Sequence, residues 1–185
     1  PLAAPRSEGK KTKEISRSHK LIREKSGLIT IIGGKWTTYR KMAQDTLDLA
    51  IRYMHIPTKD CITERYQIHG SRKNPDFSDP LYVYGTDADE IRNLVASSPA
   101  MAEKLHPDYA YTVGEVTWLV RNEMPRTLED VLARRLRILF LDARAAMAMA
   151  PKVAGILATE WGKDETWTSA QVKAFNEVAS NYILN

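Results

Sequence analysis

Gly27–Asp45 reads GLITIIGGKWTTYRKMAQD, and its reading decides the fold of the first third of the chain. The β-branched run Leu28–Ile32 stops on Gly33 and Gly34 and is followed at once by Lys35, Trp36, Thr37, Thr38, Tyr39 and Arg40. Upstream, EISRSHKLI (Glu14–Ile22) alternates, with Ile15, Arg17, His19 and Leu21 on one face and Ser16, Ser18, Lys20 and Ile22 on the other. REKSG, Arg23–Gly27, reads as the turn between two strands, so the segment predicts a β-hairpin. Thr37 or Thr38 then opens a helix to about Tyr53, with Met42, Leu47, Leu49, Ala50 and Met54 on its apolar side. A hairpin and one helix cannot bury a core by themselves. Residues 1–55 are therefore expected to be torn from a larger α/β structure, and the chain to be a cut piece of a longer protein.

Beyond Ile56 the character changes. IPTKDCITERYQIHGSRKNPDFSDP carries Pro57, Pro75, Pro80 and Gly70 and reads as a linker over residues 56–85. Residues 86–185 read as an all-helical domain, so the fold class expected for the chain is mainly α. Thr86 or Asp87 caps a helix to about Ser97. Thr112 with Glu115 forms a capping box for a helix to about Asn122. Thr127 caps the next helix through the N–H of Asp130, with Leu128, Val131, Leu132 and Leu139 as its buried stripe. Pro151 suits the first turn of a helix to about Trp161. Thr168 with Gln171 boxes the last helix, whose Val172, Phe175, Val178, Ala179 and Tyr182 share a face; Phe175 and Tyr182 are expected to be buried.

The totals bound the function. With 43% hydrophobic and 27% charged residues in 185, the chain is globular rather than disordered. A net charge of +4 suits an anionic small molecule and is too diffuse to announce nucleic acid. Arg134, Arg135 and Arg137 crowd one helix, but Glu129, Asp130 and Asp142 stand near enough to pair with them, so salt bridging explains them better than a nucleic-acid face. Cys61 is the one cysteine, and His55, His69 and His106 have no ligand spacing, so no metal site is expected. No stretch approaches the roughly 20 apolar residues of a membrane span.

The double-glycine turn is the candidate site. Glycines after a strand let another group approach the backbone with no Cβ in the way. The helix start that follows presents unpaired N–H groups and the positive end of its dipole, and Lys35 and Arg40 add charge. Such a turn suits a phosphate, a carboxylate, or the electron-rich side of a reduced flavin. A plain strand-to-helix turn with surface charges would look the same. It is neither a P-loop nor a dinucleotide fingerprint, because GxxxxGK[ST] and GxGxxG are both absent. Arg17 and His19, two apart on one strand face, read as an anion contact with a titratable neighbour, or as a solvated face.

SGLITIIGGKWTTYRKMAQD (Ser26–Asp45), with EISRSH before it, resembles the C-terminal part of the FAD-dependent, quinone-linked glycerol-3-phosphate dehydrogenases. YAYTVGEVTWLVRNEMPRTLEDVLARRLRILFLDARAAMAMAPKVAGIL (Tyr109–Leu157) resembles the helical C-terminal domain of the same family. The resemblance implies that Gly33 and Gly34 bring the backbone against FAD and that Lys35 lies beside flavin and substrate as a catalytic residue. Thr37 and Thr38 would aim helix-start N–H groups at the flavin ring, and Arg17 would line the pocket for the phosphate of glycerol 3-phosphate. His19 would be a substrate neighbour at a position that varies in the family, and Trp36 would only pack. It also implies that Pro1 follows an active-site arginine and that the FAD fingerprint lies upstream. The whole enzyme would oxidise sn-glycerol 3-phosphate to dihydroxyacetone phosphate with quinone as acceptor. It would sit as a cytoplasmic, peripheral protein on the inner face of the cytoplasmic membrane, attached through absent parts, with a possible homo-oligomer. The isolated chain would be inactive and free of FAD. Two rivals stand beside it: a free-standing helical module in residues 56–185 that binds a protein or nucleic acid, and another flavoprotein oxidising amines or hydroxyacids.

Overall fold

A computed structural model describes residues 18–183 and separates the chain into two compact units, divided between Ile68 and His69. In the first unit, strand β1 (His19–Arg23) pairs antiparallel with β2 (Ile29–Gly33). The register sets His19 opposite Gly33 and Arg23 opposite Ile29. The turn closes through the Glu24 N–H on the Leu28 carbonyl at 2.9 Å, and Gly27 makes the reversal at φ 91°, a conformation open to glycine at no steric cost. A 3-10 turn (Trp36–Thr38) leads directly into helix α1 (Tyr39–Met54). The hairpin and helix are joined by the Arg23 guanidinium, 3.5 Å above the centre of the Tyr53 ring, a cation–π contact.

Among the described residues 18–68 none is buried. Leu47 and Met54, expected on the apolar side of α1, are 61% and 64% exposed. The two-stranded sheet is too narrow to cover more than one stripe of the helix.

The second unit is helical. A 3-10 segment (Tyr82–Asp87) precedes α2 (Ala88–Ala96), the short α3 (Pro99–Ala102) and α4 (Val113–Asn122). A π-helical turn (Asp130–Arg135), α5 (Ile138–Leu141), α6 (Ala143–Trp161) and α7 (Glu165–Ser180) complete it. Its core is one cluster that includes Ile91 of α2, Val116 and Leu119 of α4, Val131, Leu132 and Leu139, Met149, Val153 and Leu157 of α6, and Phe175 of α7. Each such side chain contributes about 1.5–3 kcal/mol on leaving water. The unit begins well before Thr86: the Gly70 carbonyl accepts from the Thr86 N–H at 3.2 Å, and any Cβ on Gly85 would strike that same carbonyl.

Four local expectations change. Helix α6 starts eight residues before Pro151, because the Asp142 carboxylate caps it by accepting from the Ala145 N–H at 2.9 Å. Pro151 thus lies inside an alanine-rich helix whose propensity carries it through. The cap of α7 is Asp164, accepting from the Trp167 N–H at 2.8 Å, not Thr168. Thr168 instead donates its hydroxyl to the Asp164 carbonyl at 3.0 Å. The helix capped by Thr127 is not continuous: it widens into the π turn and breaks at Arg137, whose φ is 60°. Tyr182 is 51% exposed, since α7 has ended at Ser180 and the ring stands edge-on against Phe140 at 5.5 Å.

Candidate functional site

The candidate site is built where β2 hands over to α1. Gly33 and Gly34 have φ of 79° and 94°, a region that L side chains rarely adopt. A Cβ on Gly34 would drive into the Met42 side chain, one helical turn into α1, and would stand 3.5 Å from the His19 Cβ. The second glycine therefore has a reason within the chain itself: it lets β2 turn beneath α1.

The turn is then locked by Thr38. Its hydroxyl accepts from the Lys35 N–H at 3.2 Å and donates to the Lys35 carbonyl at 3.0 Å. The Thr38 N–H also donates to that carbonyl, at 3.0 Å. Thr38 is thus occupied in shaping the turn. The N–H groups of Trp36 and Thr37 belong to the open first turn of the helix start, the end that carries positive partial charge. Lys35, Thr37 and Thr38 are exposed, and Trp36 is 89% exposed with its ring 6.2 Å from that of Tyr39.

The register places His19 opposite Gly33, so the hairpin brings His19, Gly33, Gly34 and Lys35 into one corner. Arg17 lies outside the described residues. The His19 Nε2 is 2.9 Å from Asp45 Oδ2, and Lys41 Nζ is 2.9 Å from Asp45 Oδ1. The Lys41 hydrogen bond, foremost, and the His19 contact hold the Asp45 carboxyl below the usual carboxylate range, against partial desolvation. Sequence reasoning missed Asp45. Its Lys41 partner was visible as an i, i+4 pair on α1, but its His19 partner is 26 residues away.

This corner suits an electron-rich ligand edge. The strand end carries no side chain at two successive positions, a helix start follows directly, and Lys35 supplies a cation. The donor set fits a flavin or a phosphate. It holds no ligand set for a metal, and among the described residues no group of three His, Cys, Asp or Glu side chains could hold one.

In the helical unit, Arg134 pairs with Glu129 at 2.7 Å and Asp130 at 3.0 Å, and Arg135 pairs with Glu123 at 3.1 Å. These carboxylates pair Arg134 and Arg135, while Arg137, at the break, makes no ion pair among the described residues. Asp142 is used as the α6 cap and accepts from the Tyr109 hydroxyl at 3.0 Å. Among the described residues no helix is long and apolar enough to cross a membrane.

Residues 28–168 match the family model of the C-terminal domain of alpha-glycerophosphate oxidase. A probable mitochondrial glycerol-3-phosphate dehydrogenase of Caenorhabditis elegans is 34% identical over 94% of this chain and 26% of its own length. A mitochondrial glycerol-3-phosphate dehydrogenase of Arabidopsis thaliana is 31% identical over 93% of this chain and 34% of its own. A probable mitochondrial one of Dictyostelium discoideum is 34% identical over 98% and 30%. The chain thus spans between about a quarter and a third of the curated relatives it matches. With residues 28–168, most of its length, matched to that model, the chain belongs to the family of the alpha-glycerophosphate oxidase C-terminal domain.

Proposed function

We propose that this chain is the C-terminal part of an FAD-dependent dehydrogenase that oxidises sn-glycerol 3-phosphate to dihydroxyacetone phosphate, with quinone as the final acceptor. In that enzyme residues 1–55 form one wall of the FAD and substrate site, and residues 86–185 form the helical C-terminal domain. The observation that carries the reading is the corner itself: His19 pairs with Gly33 where two positive-φ glycines and Lys35 lead directly into a helix start, inside a chain whose relatives are named glycerol-3-phosphate dehydrogenases over nearly its whole length.

FAD, when bound, supplies the acceptor for the two electrons and one proton taken as hydride from C2 of the substrate. The chain's own part is electrostatic. Gly33 and Gly34 allow close backbone approach. The first-turn N–H groups and Lys35 place positive charge where negative charge gathers on reduction, and such preorganised charge is worth most where water is excluded. Thr38 contributes indirectly, by fixing the turn that aims them. Arg17 and His19 face the substrate, Arg17 toward its phosphate. The whole enzyme is a peripheral protein on the inner face of a cytoplasmic membrane, held by parts outside this chain.

Expression of a protein of the relatives' length that contains this chain tests the reading. Glycerol 3-phosphate should reduce a soluble electron acceptor through it, with a stoichiometric flavin spectrum. A purified, folded protein with no flavin and no such activity would overturn the proposal.

A further inference from the structure

His19 reaches the corner with one ring nitrogen already engaged. Its Nε2 meets Asp45 Oδ2 at 2.9 Å, across 26 residues of sequence. The other carboxylate oxygen of Asp45 is held by Lys41 at 2.9 Å. A carboxylate bridging a lysine and an imidazole is ionised, and an ionised carboxylate can only accept. The Nε2 must therefore carry the proton. In the neutral imidazole, Nδ1 is then the nitrogen with a free lone pair. Among the described residues Nδ1 has no hydrogen-bond partner. The ring belongs to the residue opposite Gly33, and its Cβ stands 3.5 Å from the point where a side chain on Gly34 would begin.

On the functional reading above, we propose that Asp45 is a positioning residue that holds His19 as its Nε2–H tautomer, so that Nδ1 accepts a hydrogen bond from a hydroxyl of the polyol phosphate. The charged groups facing the pair are Lys41 on α1 and the two partners themselves. Lys41 assists by occupying one carboxylate oxygen, which leaves the other for the imidazole. A second effect follows from the same contact. Asp45 lies on α1 and His19 on β1, so the bond also fixes the helix against the strand beside the glycine turn, in a unit that has no buried residue among its described residues.

Two measurements test this. The first uses the ¹⁵N-labelled chain and long-range proton–nitrogen correlation of the histidine rings in mildly alkaline solution. His19 should be the Nε2–H tautomer in wild type and in Lys41→Ala, and a mixture of tautomers in Asp45→Asn, whose amide can either donate or accept. Equal tautomer populations in wild type and Asp45→Asn would overturn the proposal, as would an Nδ1–H ring in wild type. The second uses a protein of the relatives' length. Asp45→Asn should lower kcat/KM for glycerol 3-phosphate about tenfold, as expected for one misdirected hydrogen bond, and should cause no further loss when added to His19→Ala. Additive losses would also overturn it. If the full-length protein does not oxidise glycerol 3-phosphate, the functional reading fails on its own, and the ring spectrum still decides what Asp45 does to His19.

Discussion

Lys35 and Arg17 should fail in different ways when replaced. In a protein of the relatives' length, the proposed place of Lys35 beside FAD implies that Lys35→Ala lowers turnover by about 10²–10³, the loss expected for a charge preorganised for the transition state. The proposed phosphate role of Arg17 implies that Arg17→Ala raises KM with less effect on kcat, since such a contact would be made in both ground and transition states. Steady-state kinetics with a soluble acceptor decide, and near-wild-type values for both would reduce them to surface charges. Glu115 gives a second test at this scale. It is 4% exposed, and burial raises its pKa from 4.5 to about 7 although the Tyr84 hydroxyl donates to it at 2.7 Å. Between pH 4.5 and 7 the folded chain holds a proton that the unfolded chain has released, so stability falls as pH rises through that window, by roughly 3 kcal/mol in all. Glu115→Gln should remove that slope and be more stable than wild type above pH 7, as read by denaturant unfolding across pH; parallel curves for the two proteins would contradict it. Sequence placed Glu115 in a capping box with Thr112, and half of the box is there: the Thr112 hydroxyl accepts from the Glu115 N–H at 3.2 Å. The carboxylate instead turns to a tyrosine 31 residues away, a choice that only tertiary packing makes.

Elements were legible where their signals were local. The hairpin followed from alternation and a glycine turn, and α4 and the turn after Thr127 from side chains three residues from the N–H groups they cap. The corner around Gly34 was legible as a strand stopping on glycines, but the part played by Met42 was not, because it depends on how α1 crosses the strand. The break after Thr127 was also hidden. Leu128, Val131 and Leu132 keep helical spacing, and the departure shows in the structure, where the Leu136 N–H reaches back five residues to the Val131 carbonyl at 2.9 Å. Arg135 compensates the widened turn by donating to the Asp130 carbonyl at 2.9 Å. Pro151 misled for a physical reason: proline favours a first turn, yet here the Asp142 cap and an alanine run outweigh it. Its missing N–H leaves the Met147 carbonyl without its helical donor. Pro151→Ala should therefore stabilise the helical unit, by up to about 3 kcal/mol. An unchanged or lowered unfolding midpoint would show that another group already satisfies that carbonyl.

At the scale of the molecule, the helical unit contains a continuous core and the unit before it contains none among its described residues. Sequence led to this asymmetry, since one hairpin and one helix lack the faces to enclose a core; it could not locate the division between Ile68 and His69, because the Gly70 carbonyl and Tyr84 tie a proline-rich stretch to the helices through contacts distant in sequence. The proposed placement of the chain against FAD implies that the isolated chain purifies colourless, and a stoichiometric flavin spectrum would contradict it. The same asymmetry has a calorimetric consequence. The heat-capacity increment of unfolding measures apolar surface newly wetted, about 12–15 cal/mol/K for each residue of an ordinary globular fold. A 185-residue chain packed throughout would give about 2.4 kcal/mol/K by that scaling, and the 117 residues from His69 to Asn185 about 1.5. A scan of this chain should show one endotherm with an increment near the lower figure. Its curve of stability against temperature would then be flatter than its length suggests, with the shallow dome of a much smaller protein.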